Sequence, residues 1–360
     1  MAFGAKTIWD VRTTGSDSNG GGFSTLSTQM STDLAATSAT GNAPVVTSAS
    51  YTFIARDVGH WLYVSAGTNW TPGFYQIASV LAGAATLTAT IGTGYLAHSG
   101  IPYTVTTAAG VATVASPTGG TWSVDYSQGT PISFTDLVIG TPNTRMTSAL
   151  NPIGVNFIGN IFNITSGVGF TVQRVQLTQI AGANAVVDKA LGTIGSTGGN
   201  ATFGGPFVSP GRAGGLKVAG NTVFIKTGTY ICHSTSNVAG GRVTDATAGV
   251  AAANNFWVGW ETERSVNNLN AVFPLLQASA NSMSLVTISG DTTYVRNIAV
   301  GKTALQTGVV GFSFSSAVHC CIENASATSL ETGYTYTGVT ANNMALNLYA
   351  DSCTNGVLSL

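Results

Sequence analysis

Charge is what this chain has least of. Its 360 residues include 13 Lys plus Arg and 14 Asp plus Glu, a formal net charge of −1, and the stretch from Val58 to Val124 holds no Asp, Glu, Lys or Arg. A nucleic-acid partner is excluded on that ground, because phosphate binding needs a basic patch. Disorder is excluded as well: unfolded chains combine high net charge with low hydrophobicity, and 44% of these residues are hydrophobic. Long apolar runs are equally missing. Ser, Thr, Asn, Gln, Gly and Pro interrupt the uncharged stretch, so nothing reaches the ~18 apolar residues that a membrane span needs. The opening Met1-Ala-Phe-Gly-Ala-Lys6 turns polar within a few residues, short of the roughly 7–15-residue apolar core of an export signal. The chain is therefore expected to be made and kept in a cytoplasm, without a membrane partner.

Cysteine and histidine are also scarce. Cys232, Cys320, Cys321 and Cys353 fit neither a dense disulfide framework nor a paired C-x-x-C zinc site, and read as small buried hydrophobes. His60, His98, His233 and His319 are scattered, with no metal-binding pair and no nucleophile at motif spacing. The glycine clusters Gly198-Gly199-Asn200 and Gly204-Gly205-Pro206 lack the Lys-Ser/Thr that follows a phosphate loop. Asp17-x-Asn19-Gly20 has the start of a calcium loop but no third ligand and no distal Glu, so it reads as a turn. Neither a metal nor a cofactor is expected.

What is present is an internal repeat. Val58, Gly59, Val64, Gly67, Ile77, Val80, Leu87, Gly92 and Thr93 match Ile158, Gly159, Ile164, Gly167, Leu177, Ile180, Val187, Gly192 and Thr193, every pair 100 positions apart. In the first copy Tyr51–Ile54, Trp61–Val64, Phe74–Val80 and Ala85–Ile91 read as strands; in the second, Phe157–Ile158, Ile161–Ile164, Val172–Ile180 and Ala185–Val187 do. Aromatic and β-branched residues fill them, Gly, Pro and Asn separate them, and apolar residues alternate with polar ones. Trp9-Asp10-Val11 and Trp122-Ser123-Val124 each precede a copy. The expected division is an N-terminal lead-in or attachment segment over 1–25, a β module over 26–121, its repeat over 122–205 and a third region over 206–360, with Thr104–Gly120 a linker.

In the third region Val295–Val300, Cys320–Ala325 and Leu348–Cys353 place Asn297, Asn324 and Asp351 at intervals of 27. A solenoid of stacked coils produces such spacing, with Asn or Asp at its bends and apolar residues inside. The expected class is all-β: two repeated small β modules followed by a β-helix-like region. Sandwich or jelly-roll domains are the alternative, with turns every ~8–12 residues.

Three motifs carry a resemblance: Trp9-Asp-Val-Arg-Thr-Thr-Gly-Ser-Asp-Ser-Asn-Gly-Gly-Gly-Phe23, Gly73–Val80 followed by Ala85-Thr-Leu87, and Val223-Phe-Ile-Lys-Thr-Gly-Thr-Tyr230. Together they resemble structural proteins of tailed bacteriophages, and the last is similar to the first rung of their right-handed parallel β-helices. The resemblance implies a virion component, often a homotrimer, whose partners are itself and other capsid or tail proteins. Capsid decoration, head fibre, tail fibre and tailspike all remain open. The end at Gly356-Val-Leu-Ser-Leu360 is apolar, so the last coil is expected either to lie under a neighbouring subunit or to continue in a longer native chain.

Some phage tailspikes bind or cut host polysaccharide, and two carboxylates are the means of cutting. Glu261 and Glu263 form the best pair: two residues apart on a strand they would stand about 6.6 Å apart on one face, within the roughly 6.5–9.5 Å of an inverting pair. Glu323 and Asp351 could meet across adjacent coils. Against this, Glu261-Thr-Glu263-Arg264 also reads as a solvated turn with an ion pair. Trp61, Trp70, Tyr75, Trp257 and Trp260 could stack on sugar, but aromatic residues in β modules usually anchor cores or interfaces; Trp257 and Trp260 are the expected exposed contacts to a glycan or partner. The reading that results is a non-enzymatic structural protein acting through assembly and host attachment, with a tailspike that binds or hydrolyses host polysaccharide as the alternative.

Overall fold

In a computed structural model, residues 6–25, 29–37, 44–88, 95–96, 103–104, 116–249, 254–260, 272–303, 305–338 and 342–359 are described. The fold is almost entirely β. The chain divides into two compact units, the first within residues 18–205 and the second formed by residues before 18 and after 205.

The first unit holds the repeat. In its second copy the strands Ile132–Ile139, Arg145–Thr147, Asn184–Val187, Gln173–Ala181, Ile161–Ser166 and Gly199–Phe203 pair in that order into a closed barrel, every pair antiparallel. The first copy closes the same cycle with Ser31–Ala36, Val45–Thr47, Ala84–Leu87, Gly73–Leu81, Trp61–Thr68 and Thr118–Asp125. Closure removes the strand edges that an open sheet of this length would leave unpaired. Burial alternates as the sequence pattern requires: Ala84–Leu87 and Asn184–Val187 each bury every second residue.

Two glycines show why the copies keep the same residues. Gly67 and Gly167 have φ of +143° and +138°, and an added Cβ would lie 2.5 Å from Trp70 Cδ1 in one copy and 2.7 Å from Phe170 Cδ2 in the other. Only glycine satisfies both the backbone and the ring beside it.

The copies also correct the expected boundaries. Thr118–Asp125 pairs with Trp61–Thr68 and Ser31–Ala36, so Trp122 closes the first module and does not open the second. Its counterpart Gly199–Phe203 sits 79 positions later, not 100: Gly67 packs on Gly120 as Gly167 packs on Gly199. Tyr51–Ile54 and Phe157–Ile158 are not strands. Short 3-10 turns stand at Ala55–Asp57 and Val155–Phe157, and in the first copy the amides ahead of the turn are taken by side chains, Tyr51 N–H by Ser48 Oγ at 3.1 Å and Ile54 N–H by Asp57 Oδ2 at 2.9 Å.

The second unit is built from parallel pairs, which hairpin-based sandwiches do not supply. Thr7–Val11, expected in a lead-in segment, pairs with Thr222–Lys226 and begins the first of three columns of stacked strands. Three inward lines of side chains form the core. The first runs Trp9, Val223, Trp257, Val295, Ile322 and Ala345; the second Tyr230, Leu276, Val300, Ala327 and Ala350; the third Val243, Val286, Phe312, Tyr334 and Val357. All are buried except the last member of each line. Phe312 and Tyr334 stack with ring centroids 5.3 Å apart, and outside this line Phe314 and Tyr336 do so at 5.1 Å.

The distance along the chain between partners is uneven. Thr229, Leu275, Ala299, Ser326 and Tyr349 lie above one another at sequence intervals of 46, 24, 27 and 23. Asn297, Asn324 and Asn347 all stand at positive φ where the first column bends into the second. Asn324 Nδ2 donates to Asn297 Oδ1 at 3.1 Å, and Asn347 Nδ2 to Asn324 Oδ1 at 2.9 Å. Two of the three expected bend residues are thus members of this ladder. Asp351 is not: it pairs with Thr328 at the end of a strand, because the last interval is 23 residues and not 27.

The short helix Pro210–Leu216 begins the main run of the second unit. Its glycines allow close approach: a Cβ on Gly211 would meet the Gly241 carbonyl oxygen at 2.4 Å, and one on Gly215 the Asn237 carbonyl oxygen at 2.2 Å.

Candidate functional site

Only some of the expected site residues fall within the described residues. Glu261 and Glu263 lie outside the described residues, as does His98. Glu323 faces Arg296, with Oε2 3.2 Å from Nε, and its strand partner is Leu346, so Glu323 and Asp351 fall in different columns. Trp257 and Trp260 are 1% and 4% exposed. Both corrections to the expected exposed contacts have a physical cause. Trp257 occupies the first inward line, and its indole N–H donates to buried Asp245 Oδ2 at 2.7 Å. Trp260 lies under two cations, Arg12 Cζ at 4.9 Å and Lys226 Nζ at 5.2 Å from the ring centroid. Trp61, Trp70 and Tyr75 are core residues of the first barrel.

Other candidates resolve into local roles. Asp17 accepts from Ser209 Oγ at 2.6 Å and Ser209 N–H at 3.1 Å. Cys232 and Cys320 are buried, whereas Cys321 and Cys353 are half-exposed, and all four are free thiols. Burial pushes the Cys232 thiol up to about 12, which keeps it protonated and unreactive. Among the described residues no cluster of three His, Cys, Asp or Glu side chains has metal-binding geometry.

Two buried polar groups escape sequence reasoning. Lys217 Nζ stands 2.8 Å from Asp245 Oδ2, with both side chains 1% exposed. Burial holds the Lys217 pKa below its usual value against the opposing pull of Asp245. In the first unit Asp57 is fully buried, accepting from Tyr126 Oη at 2.5 Å, Tyr51 Oη at 2.9 Å and the Ile54 amide at 2.9 Å. Desolvation raises its pKa despite these bonds. Neither group borders open space in which a substrate could reach it, and both belong to the packing.

A groove of about 640 Å³ lies on the outer face of the second column. Two outward rows form its floor. One is Thr229, Leu275, Ala299 and Ser326; the other passes through Gln277, Gly301 and Thr328. Val272 and Phe273 border it on one side and Lys302 and Ser329 on the other. Among the described lining residues Lys302 is the one ionic group, and its Nζ is engaged by Glu331 Oε1 at 2.6 Å and the Gln306 carbonyl at 2.7 Å. Although burial pushes Glu331 up, the bonds from Lys302 and the Val309 amide hold its carboxyl below the usual range. The described lining combines hydroxyls, the Gln277 amide and the Phe273 ring with the apolar Val272, Leu275 and Ala299. The sequence offers no motif at Leu275 or Gln277; the signal that marks this face is their alternation with the inward Leu276 and Ala278.

No family model matches the chain, and no curated protein and no solved structure matches it either.

Proposed function

We propose that this chain is a non-enzymatic structural protein of a tailed-bacteriophage particle, acting through assembly with copies of itself, as a trimer, and with capsid or tail proteins. The observation that carries the reading is the regular stack of the second unit, in which three columns keep parallel register through successive turns. Each turn contacts only its neighbours, so stability accumulates along the stack and yields a stiff element suited to a particle's exterior. We read this stack as a right-handed parallel β-helix. The hand rests on the general rule that parallel crossovers are right-handed in about 98% of cases. Two barrels of one design ahead of it fit the same logic of tandem structural units. The carboxylate arrangement favours assembly over cleavage, since Glu323 is held by Arg296.

Two measurements test this. Light scattering on the purified chain is expected to give three copies per assembly, and a labelled antibody is expected to decorate intact particles. A stable monomer that no particle carries would overturn the proposal.

A further inference from the structure

We propose that Asn355 is a site of spontaneous self-modification, at which the backbone nitrogen of Gly356 displaces the side-chain amide, and that the fold protects the equivalent step at Asn19. This is independent of the assembly role, which neither requires nor forbids it.

The chain contains two Asn-Gly steps, Asn19-Gly20 and Asn355-Gly356. Asparagine before glycine is the reactive pairing: without a Cβ, glycine leaves its backbone nitrogen open to the preceding side chain and lets the chain turn into the ring-forming conformation. The attack is intramolecular, so its entropy cost is largely paid in advance. Gly356 N loses its proton and bonds to Asn355 Cγ; the Cγ–Nδ2 bond breaks, and Nδ2 leaves as ammonia with that proton. Water then opens the cyclic imide at either carbonyl. One opening gives aspartate, the other isoaspartate, in which the main chain runs through Cβ. Both products add a negative charge.

The two steps stand in opposite surroundings. Asn19 is 4% exposed, and the peptide unit that would have to rotate is held at both its atoms: the Gly20 N–H donates to the Gly204 carbonyl at 2.9 Å, and the Asn19 carbonyl accepts from Arg174 Nη2 at 2.8 Å and Nε at 3.2 Å. A Cβ on Gly20 would lie 2.0 Å from the Ile161 carbonyl oxygen, so the backbone has no room to turn. Asn355, by contrast, is exposed. It opens the strand Asn355–Ser359, which pairs with Thr332–Thr337 on one side and with no described strand on the other. Such an edge opens locally at lower cost than an interior strand. Extended backbone does not bring Gly356 N onto Asn355 Cγ, so the reaction runs through that opening. Isoaspartate at 355 would then add a main-chain carbon opposite Thr332 and move Val357 out of register with Tyr334.

Gly356 makes the test clean. Its backbone is not in the left-handed region, and an added Cβ would meet Ala350 Cβ at 3.7 Å, an ordinary contact. Gly356→Ala should therefore fold normally while hindering the attacking nitrogen. The full chain is aged in buffer at about pH 7 and about pH 9, then digested and mapped by mass spectrometry, with isoaspartate identified by enzymatic methylation. Isoaspartate and aspartate are expected to accumulate at 355, faster at the higher pH because the nitrogen must lose its proton, while Asn19 stays intact. In urea both steps should react. Gly356→Ala should slow the change at 355 by at least about tenfold. An Asn355 that persists unchanged overturns the proposal, as does an Asn19 that reacts equally fast in the folded chain. Aspartate alone at 355 also counts against it, since direct hydrolysis of the amide gives no isoaspartate. If Asn19 survives in urea as well, the fold is not what protects it, and the contrast fails. Should Gly356→Ala misfold, the product ratio at 355 and the comparison with Asn19, both read in the parent chain, decide.

Discussion

Tyr126 donates its phenolic proton to Asp57 across 2.5 Å, and both residues are fully buried. The same hydroxyl accepts from Asn156 Nδ2 at 2.6 Å, so one phenol joins the 3-10 turn of the first barrel to that of the second. Tyr126→Phe removes a donor and leaves a buried carboxylate short of one bond. Urea unfolding is expected to show a loss of ~1–3 kcal/mol. A loss below ~0.5 kcal/mol, the usual size of surface effects, would mean the bond contributes nothing to the junction.

Asp57 also sets a pH dependence. Its folded-state pKa lies above the ordinary 3.8, chiefly through burial, so the folded form holds the proton more tightly than the unfolded one. Its contribution therefore grows more unfavourable as pH rises from 3.8 through the folded value, and is relieved on acidification. Asp33 acts in the opposite sense. Burial pushes it up, but bonds from Ser31, Trp122, Ser48 and the Ser50 amide hold it far below 3.8; the stability it supplies is present above 3.8 and lost as pH falls below. Thermal melts of Asp57→Asn and Asp33→Asn between pH 3 and 7 should show slopes altered in opposite directions from the parent.

The asparagine ladder gives a third expectation. Asn324 bonds both Asn297 and Asn347 and sits at φ +49°. Asn324→Ala loses two hydrogen bonds at ~0.5–1.5 kcal/mol each and replaces a side chain that tolerates the left-handed region with one that does not. Asn324→Gly should recover the second loss and not the first. Asp351→Ala, at an exposed strand end, should stay within ~0.5 kcal/mol of the parent. Denaturant titration ranks the three.

Lys217 and Asp245 form the buried pair of the second unit. Lys217→Met strands a carboxylate in the interior and is expected to cost ~3–5 kcal/mol. The double variant Lys217→Met, Asp245→Leu should regain most of it, since replacing a buried pair by apolar groups is often neutral. A double variant as unstable as the single one would show that Asp245 serves mainly Trp257 and Thr247, which also donate to it.

Which parts of this were legible in the sequence follows from how far each signal reaches. The hundred-residue repeat was readable because the Gly67 and Gly167 positions admit nothing but glycine, and because alternation in Gly73–Leu81 and Gln173–Ala181 is local. The fate of Trp122 was not, since pairing to Ser31 and Val64 is a long-range choice. The short helix Pro210–Leu216 announced itself only by Ser209-Pro210, a helix-start signal outweighed by three glycines in Pro-Gly-Arg-Ala-Gly-Gly-Leu. Trp257 and Trp260 carry the apolar and amphipathic character of surface anchors, and only the stack of Trp9, Val223, Val295 and Ile322 reveals one of them as core. The groove was invisible because its residues come from four turns at unequal intervals, so no fixed period unites them.

Those unequal intervals have a consequence for how such a molecule changes over time. Steps of 46, 24, 27 and 23 residues all deliver a strand to the same place above its predecessor, so the extra length is absorbed at the bends and never in the rows beneath. Surface loops can be lengthened or trimmed at such corners while the interior columns stay as they are, so the outside can drift on an unchanging frame.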